Sequence, residues 1–338
     1  MASRVFLLFV LLQLVQSDKL LFEQGKMRLG THGRKRNYYN VHHIDEKLIG
    51  QGHQLVVVRA WMETVHPEAV RNLRSLENLV MAKCHIVKVE NKAFVNLPNL
   101  TALRLNDNDI GEVKKGVFNE LPIKVLSLQR NAIKKIDSGA FDDMPNLYKI
   151  KLNSNRLKSW DSAWFKNCPK LTELYFRRNR LNHLPASAFA NIKGTHLVDG
   201  ERVMDTKIFL SKNKLGTITP ESFYNLEAIS QLYLDRNNIT EVPGGAFRDL
   251  KEIHVIYLAR NKIDEVKDNA FPKVRSIGIL DFSSNLLECL PYGLVTVANI
   301  TNLEKNNGSC SCIRDYKARL EKEQRKNEIS YEKEDCPE

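Results

Sequence analysis

Four aromatic residues, Tyr175, Phe209, Tyr233 and Tyr257, follow one another in the sequence at intervals of 34, 24 and 24 residues. Three positions after each stands a cation: Arg178, Lys212, Arg236 and Arg260. Aromatic and guanidinium groups held in register are the chemistry of recognition, ring area for desolvated contact and fixed charge for pairing with acids. A bland explanation competes with that one, because aromatics suit strands and arginine or lysine is a common solvated choice beside them. Exposed on a rigid sheet, such a run has the composition of an interface hot spot, able to grip an acidic partner or stack on sugar rings. Chemistry of other kinds finds no support. No nucleophile–base motif, phosphate loop or paired-carboxylate signature stands in a convincing context, so the chain reads as non-enzymatic, with no cofactor. His42, His43, His53 and His66 are the best metal candidates, but they lack ligand spacing and read as solvent-exposed histidines, with no metal.

The residues that would position these files repeat as well. In ISQLYLDRNNITEVPGGAFRDL, residues 229–250, the offsets are held by Leu232, Leu234, Asn237, Ile239, Val242, Phe247 and Leu250. Ile256, Leu258, Asn261, Ile263, Val266, Phe271 and Val274 hold the same offsets 24 residues later. This is the leucine-rich repeat phrase, L-x-x-L-x-L-x-x-N-x-L. A phrase of this length cannot bury its own apolar face and must stack on copies of itself. The asparagine slot falls at Asn108, Asn131, Asn155, Asn179, Asn213, Asn237, Asn261 and Asn285, with Ala60 and Cys84 in its two earliest positions. A buried amide there can hydrogen-bond backbone groups of adjacent coils, so the asparagines are structural. Ten residues after the slot runs a second file, from Phe94, Phe118, Phe141 and Phe165 to Phe189, Phe223, Phe247 and Phe271, which should fill the core.

The expected fold is an α/β repeat solenoid, a curved horseshoe with a parallel concave β-sheet and short helices, 3-10 turns and loops on the convex side. Each L-x-L is a short strand, and the residue between the leucines faces the concave side. In order these are Val56, Val80, Arg104, Ser127, Lys151, Tyr175, Phe209, Tyr233, Tyr257 and Asp281. The single 34-residue spacing places an insertion of ten residues around 193–206. It is either a neutral surface loop, which costs little, or a binding loop at one edge of the solenoid.

Residues 1–17 have Arg4 ahead of an 11-residue apolar run, Val5 to Val15, with Val15 and Ser17 suited to a signal-peptidase site. The run is too short to span a bilayer, and no later segment is long and apolar enough to do so. The ending EKEDCPE offers no tail for a lipid anchor, so the expected product is secreted, extracellular and soluble. Residues 18–36 carry much of the basic excess in a net charge of +11 and read as a flexible leader. With 37–51 they form the expected N-terminal segment, 18–51, in which Tyr38 to Gly52 shields the first coil without cysteines. Ten repeats occupy 52–299 and a cysteine-containing cap 300–338, where Ile313, Tyr316 and Leu320 fall at helical spacing. Secretion argues against nucleic acid, and the basic balance favours an acidic protein surface, an acidic glycan or a microbial surface. Asn99, Asn238, Asn299 and Asn307 open glycosylation sequons. Cys84 and Cys168 occupy core slots several coils apart and read as buried thiols. The remaining four, Cys289, Cys310, Cys312 and Cys336, allow three pairings.

The phrase and the cap sequence resemble typical-class extracellular leucine-rich repeat proteins, among them Toll and Slit ectodomains, small leucine-rich proteoglycans and insect leucine-rich immune proteins. Among the last, this would be a short form without the coiled coil. The resemblance covers about residues 52–338. It implies a cap opening at Asn306 with C-x-C, in which Cys310 pairs with Cys336. Cys289 then stands in for the missing fourth cap cysteine and pairs with Cys312, or one thiol stays free to crosslink a second chain. It also implies recognition of an extracellular protein partner through the concave face, with innate immunity as one setting. Matrix or glycan binding, and a non-catalytic place in a secreted enzyme or inhibitor complex, are the alternatives.

Overall fold

The computed structural model of the protein describes residues 20–30, 35–192, 205–308 and 310–331, and the backbone alone at 196–198 and 201–203. The chain is a parallel β-solenoid with little helix. It divides into two compact units, Met1–Leu147 with Ala163–Cys168, and Tyr148–Ser162 with Pro169–Glu338.

In the first unit the parallel strands are Gln54–Val58, Asn78–Met81, Ala102–Arg104 and Val125–Ser127. Their register pairs Val56 with Val80, Val80 with Arg104, and Arg104 with Ser127, the positions expected between the leucines. The leucine-type positions on either side point inward, and Leu55, Val57, Leu79, Met81, Leu103 and Leu105 are fully buried. Behind them Phe118 stacks on Phe141 at 6.5 Å between ring centroids, and Phe141 on Phe165 at 5.6 Å.

The start of this unit differs from expectation. Part of the stretch read as a flexible leader is a strand, Phe22–Leu29, hydrogen-bonded antiparallel to Gln54–Val58 on one side and to Arg36–Val41 on the other. A first coil leaves an open strand edge, and an open edge invites pairing with another chain. Here the hairpin covers it and buries Phe22, Met27 and Val41. Gly25 permits the close approach: a Cβ at that position would stand 2.7 Å from the Cβ of Ala60. The signal segment, 1–17, lies outside the described residues.

In the second unit the strands run Lys149–Lys151, Glu173–Tyr175, Lys207–Phe209, Ala228–Tyr233, Glu252–Tyr257, Ile277–Asp281, Ala298–Asn302 and Glu328–Ser330, all parallel. The insertion does not disturb the ladder, because Tyr175 still pairs with Phe209. Its backbone forms an antiparallel hairpin, His196–Val198 against Glu201–Val203. Phe189, Phe223, Phe247 and Phe271 stack in series with centroids 4.5–5.4 Å apart.

Opposite the sheet the chain forms turns and a short 3-10 piece, as expected. Turns predominate among the described residues, with a 3-10 segment at Ser162–Phe165 and two-residue parallel ladders such as Glu241–Val242 against Glu265–Val266. The segments there are too short for a helical nucleus, and adjacent coils satisfy their backbone instead. The asparagine slot does what buried amides require. Nδ2 of Asn237 donates to the carbonyls of Leu210 and Leu234, while its Oδ1 accepts from the N–H of Leu215. The pattern extends to Asn306, which donates to Phe282 and Leu303 and accepts from Leu287. The helix Cys310–Lys322 then buries Ile313, Tyr316 and Leu320, and the Tyr316 hydroxyl bonds Leu290 at both its N–H and its carbonyl.

Candidate functional site

The second unit brings the aromatic file together. Tyr175, Phe209, Tyr233 and Tyr257 stand side by side on adjacent strands, half-buried, in one stack. Ring centroids are 4.4, 4.7 and 4.8 Å apart and neighbouring planes differ by 10°, 16° and 22°. The spacing is that of the strands themselves, about 4.8 Å, so the sheet dictates the stack. Lys151 closes one end, its Nζ 5.5 Å from the Tyr175 centroid, and Asp281 is the next residue at the other end. The Tyr175 hydroxyl donates to Glu173 at 2.7 Å; burial and that carboxylate push its pKa up. Burial also raises the pKa of Tyr233, with Tyr257 and Asp235 adding to it.

The cation file has a backbone cause. Arg178, Lys212, Arg236 and Arg260 all lie in the left-handed region, with φ of 56–57°. Each turns the chain from strand into the asparagine slot, and each donates its N–H to the following coil at 2.8–3.0 Å. Arg236 and Arg260 stand beside the rings, lining one hollow with Phe209, Tyr233 and Tyr257. Three of the four are exposed and Lys212 is half-buried. Burial and the nearby charges of Arg236, Arg178 and Arg177 lower the pKa of Lys212.

Between the files lies an open hollow of about 420 Å³, lined by Phe209, Tyr233, Tyr257, Arg236 and Arg260, and by Arg177, Asp235 and Asp281. The first five were anticipated as a site. Arg177, Asp235 and Ser211, two positions after the ring in their coils, were not, although their register is as regular as that of the rings. Ser211 donates to Asp235 at 2.5 Å, which anchors that carboxylate.

Sequence reasoning also passed over a feature of the first unit. Trp61 is 65% exposed and stacks on His85 with centroids 4.3 Å apart. It borders a hollow of about 400 Å³ lined by Glu23, Gln24, Gly25, Lys26 and Arg59. Four of its six lining residues come from the hairpin, so only recognition of the hairpin as a strand could have disclosed it.

The histidines do not converge on a common point. His43 meets Asp45 at 3.1 Å, His53 meets Glu77 at 3.0 Å and His66 meets Glu90 at 3.3 Å. Among the described residues no group of three or more His, Cys, Asp or Glu is placed to hold a metal. Cys84 and Cys168 are free and buried, and burial raises both thiols to about 11. Cys84 fills its slot as a weak donor, to the carbonyls of Val57 and Ala82, while its N–H is bonded by Asn108. Cys289 and Cys312 form a disulfide. Cys310 is disulfide-bonded, and its expected partner Cys336 lies outside the described residues. Asn99, Asn238, Asn299 and Asn307 are all exposed. No described helix is long and apolar enough to cross a membrane.

Comparison with known proteins agrees with this architecture. Residues 63–196 match the BspA type leucine rich repeat region in six copies. Residues 206–263 and 230–287 match the leucine rich repeat. No curated protein matches the sequence. Among solved structures, a chain of the Toll–Spatzle complex of Drosophila is 17% identical with a TM-score of 0.56, over 70% of this chain and 41% of that one. The glycosylated form of that complex gives 17%, 0.58, 70% and 37%. A chain of the octameric complex of Latrophilin 3, Unc5D and FLRT2 gives 18% and 0.51, over 76% of this chain and 83% of that one. The protein thus spans about two fifths of the Toll–Spatzle chain it matches. At these identities the likeness is one of fold.

Proposed function

The chain belongs to the leucine-rich repeat proteins, and on that premise we propose that it is a secreted, non-catalytic binding protein that holds a protein partner on the exposed sheet face of its second unit. The observation that carries this reading is the four-ring stack bordered by a file of like charges. Aromatic and arginine side chains at the centre of a rigid surface are what interface hot spots are made of. A solenoid sheet also holds them without the ordering cost that a mobile loop would incur on binding. The neighbours in fold point the same way by analogy, since the Toll–Spatzle and the FLRT2 structures are complexes of several proteins. The Cys289–Cys312 disulfide fits an oxidising, extracellular setting.

Innate immunity is one setting for such a protein, and the Toll–Spatzle complex is described as a hub of development and innate immunity. A rise in transcript after microbial challenge would support that setting and a flat response would remove it.

The binding experiment begins with affinity capture from the native secretion, and then measures the dissociation constant of the purified partner. Replacing Tyr233 and Tyr257 with alanine should weaken binding by at least about tenfold while leaving the melting temperature nearly unchanged. Unchanged affinity in that folded double variant overturns the reading.

A further inference from the structure

We propose that the second unit's sheet face is built for an acidic, extended segment of the partner protein, whose carboxylates meet Arg178, Lys212, Arg236 and Arg260 while its backbone runs past the ring edges of Phe209, Tyr233 and Tyr257. This rests on the sheet-face reading of function and names the occupant.

The first argument is charge. Arg178, Lys212 and Arg260 make no ion pair with any described residue, and Arg236 only approaches its neighbour Asp235 at 3.8 Å. Four like charges on successive coils repel one another, and nothing in the fold requires them, since the left-handed turn position accepts serine at Ser154 and Ser284. The pKa of Lys212 is lowered first by its burial and then by the neighbouring charges of Arg236, Arg178 and Arg177. An anionic ligand removes the strain and gains directly from it.

The second argument is the direction of the rings. A sugar ring stacks on an open aromatic face. Here the faces between Tyr175 and Tyr257 are already occupied by neighbouring rings at 4.4–4.8 Å. What remains available is a comb of edges, and a ring edge carries the positive side of the quadrupole. Edges suit carbonyl and carboxylate oxygens and the flank of an extended chain.

The third argument separates an acidic peptide from a sulfated glycan. Asp235 and Asp281 line the same hollow. They repel a uniformly anionic polymer but accept hydrogen bonds from the backbone N–H groups of a peptide.

The test uses the full mature protein and two probes at about 0.15 M ionic strength: a Glu-Ala repeat peptide, with a Gln-Ala peptide as its neutral control, and a heparin oligosaccharide of matched charge. One variant carries Arg178→Asn, Arg236→Asn and Arg260→Asn, because asparagine tolerates the left-handed conformation; the other is the double tyrosine variant. Melting temperatures confirm that both fold. The Glu-Ala peptide should bind and the Gln-Ala peptide should not. Each variant should weaken the acidic peptide by at least about tenfold. The oligosaccharide should bind more weakly than the peptide and ignore the tyrosine change. Absent peptide binding, peptide binding indifferent to both variants, or an oligosaccharide that binds tighter and depends on the tyrosines each overturns the proposal. If the natural partner responds to the tyrosine variant but not to the asparagine variant, the acidic segment is wrong and the sheet-face reading stands. If it responds to neither, both fall.

Discussion

One position of the repeat, the residue just before the asparagine slot, is left-handed in both units but carries different chemistry. In the first unit it is Arg59, Lys83, Asp107 and Arg130, with φ of 53–57°. Both signs occur there, and Arg130 reaches across one coil to Asp107 through both Nε and Nη2, the latter at 2.8 Å from Oδ2. In the second unit the same position is serine at Ser154 and Ser284, with an unbroken run of four cations between them, Arg178, Lys212, Arg236 and Arg260. The residue between the strand leucines changes in parallel, from Val56, Val80, Arg104 and Ser127 to Tyr175, Phe209, Tyr233 and Tyr257. The backbone is the same in both, so the fold cannot be the cause of the difference. At this position the first unit pairs Arg130 with Asp107, whereas Arg178, Lys212 and Arg260 make no ion pair with any described residue.

The comparison can be broken first at the core. If the units differ only in surface chemistry, Phe118→Ala and Phe247→Ala should cost alike, about 3–5 kcal/mol each, in denaturant titrations. A large cost in one and none in the other would mean the two stretches are not built alike. Asn108→Ala and Asn237→Ala should each cost about 1–3 kcal/mol, because each strands equivalent carbonyls, of Met81 and Leu105 in one and of Leu210 and Leu234 in the other.

Smaller effects sharpen the surface contrast. Arg130→Ala should destabilise by up to about 1 kcal/mol near neutral pH, the range of a partly exposed ion pair. The Arg130 hydrogen bond holds the carboxyl of Asp107 below its ordinary 3.8. A depressed acid contributes stability above its unfolded value and loses it as pH falls through the folded one. The gap between wild type and Arg130→Ala should therefore close below about pH 4, and a gap persisting in strong acid would contradict the pairing. Arg260→Asn should leave the melting temperature unchanged or slightly higher, since it removes repulsion rather than a bond; a clear fall would show a partner within the fold. The smallest effect concerns Cys84 and Cys168, whose thiols sit at about 11. At pH 8 alkylating reagents should leave both unmodified until the protein is unfolded.

Much of the architecture was legible because a repeat states its own register. The 24-residue offsets fixed which residues face in and which lie side by side on the sheet. The insertion did no harm to that reading, since it falls between coils and Tyr175 meets Phe209 regardless. The helix over Ile313, Tyr316 and Leu320 was visible from its spacing for the same local reason. The N-terminal strand was not. Its alternation is interrupted by Gly25, and its stability comes from a sheet edge contributed by residues some thirty positions later, which local pattern cannot reveal. The Trp61 hollow was hidden with it. In the candidate site the rings and cations could be named, whereas the stacking that hides the ring faces depends on side-chain geometry. Arg177, Asp235 and Ser211 had a regular register that a reading limited to aromatic and cationic positions passed over.

The two aromatic features, exposed Trp61 and the half-buried ring file, also give the most direct test of the central claim. Hydroxyl-radical footprinting of the protein with and without its purified natural partner reads Trp61 in the first unit and Tyr233 and Tyr257 in the second in one measurement. The account predicts that the two tyrosines lose labelling in the complex while Trp61 keeps it. Protection of Trp61 with unchanged labelling at Tyr233 and Tyr257 would contradict it.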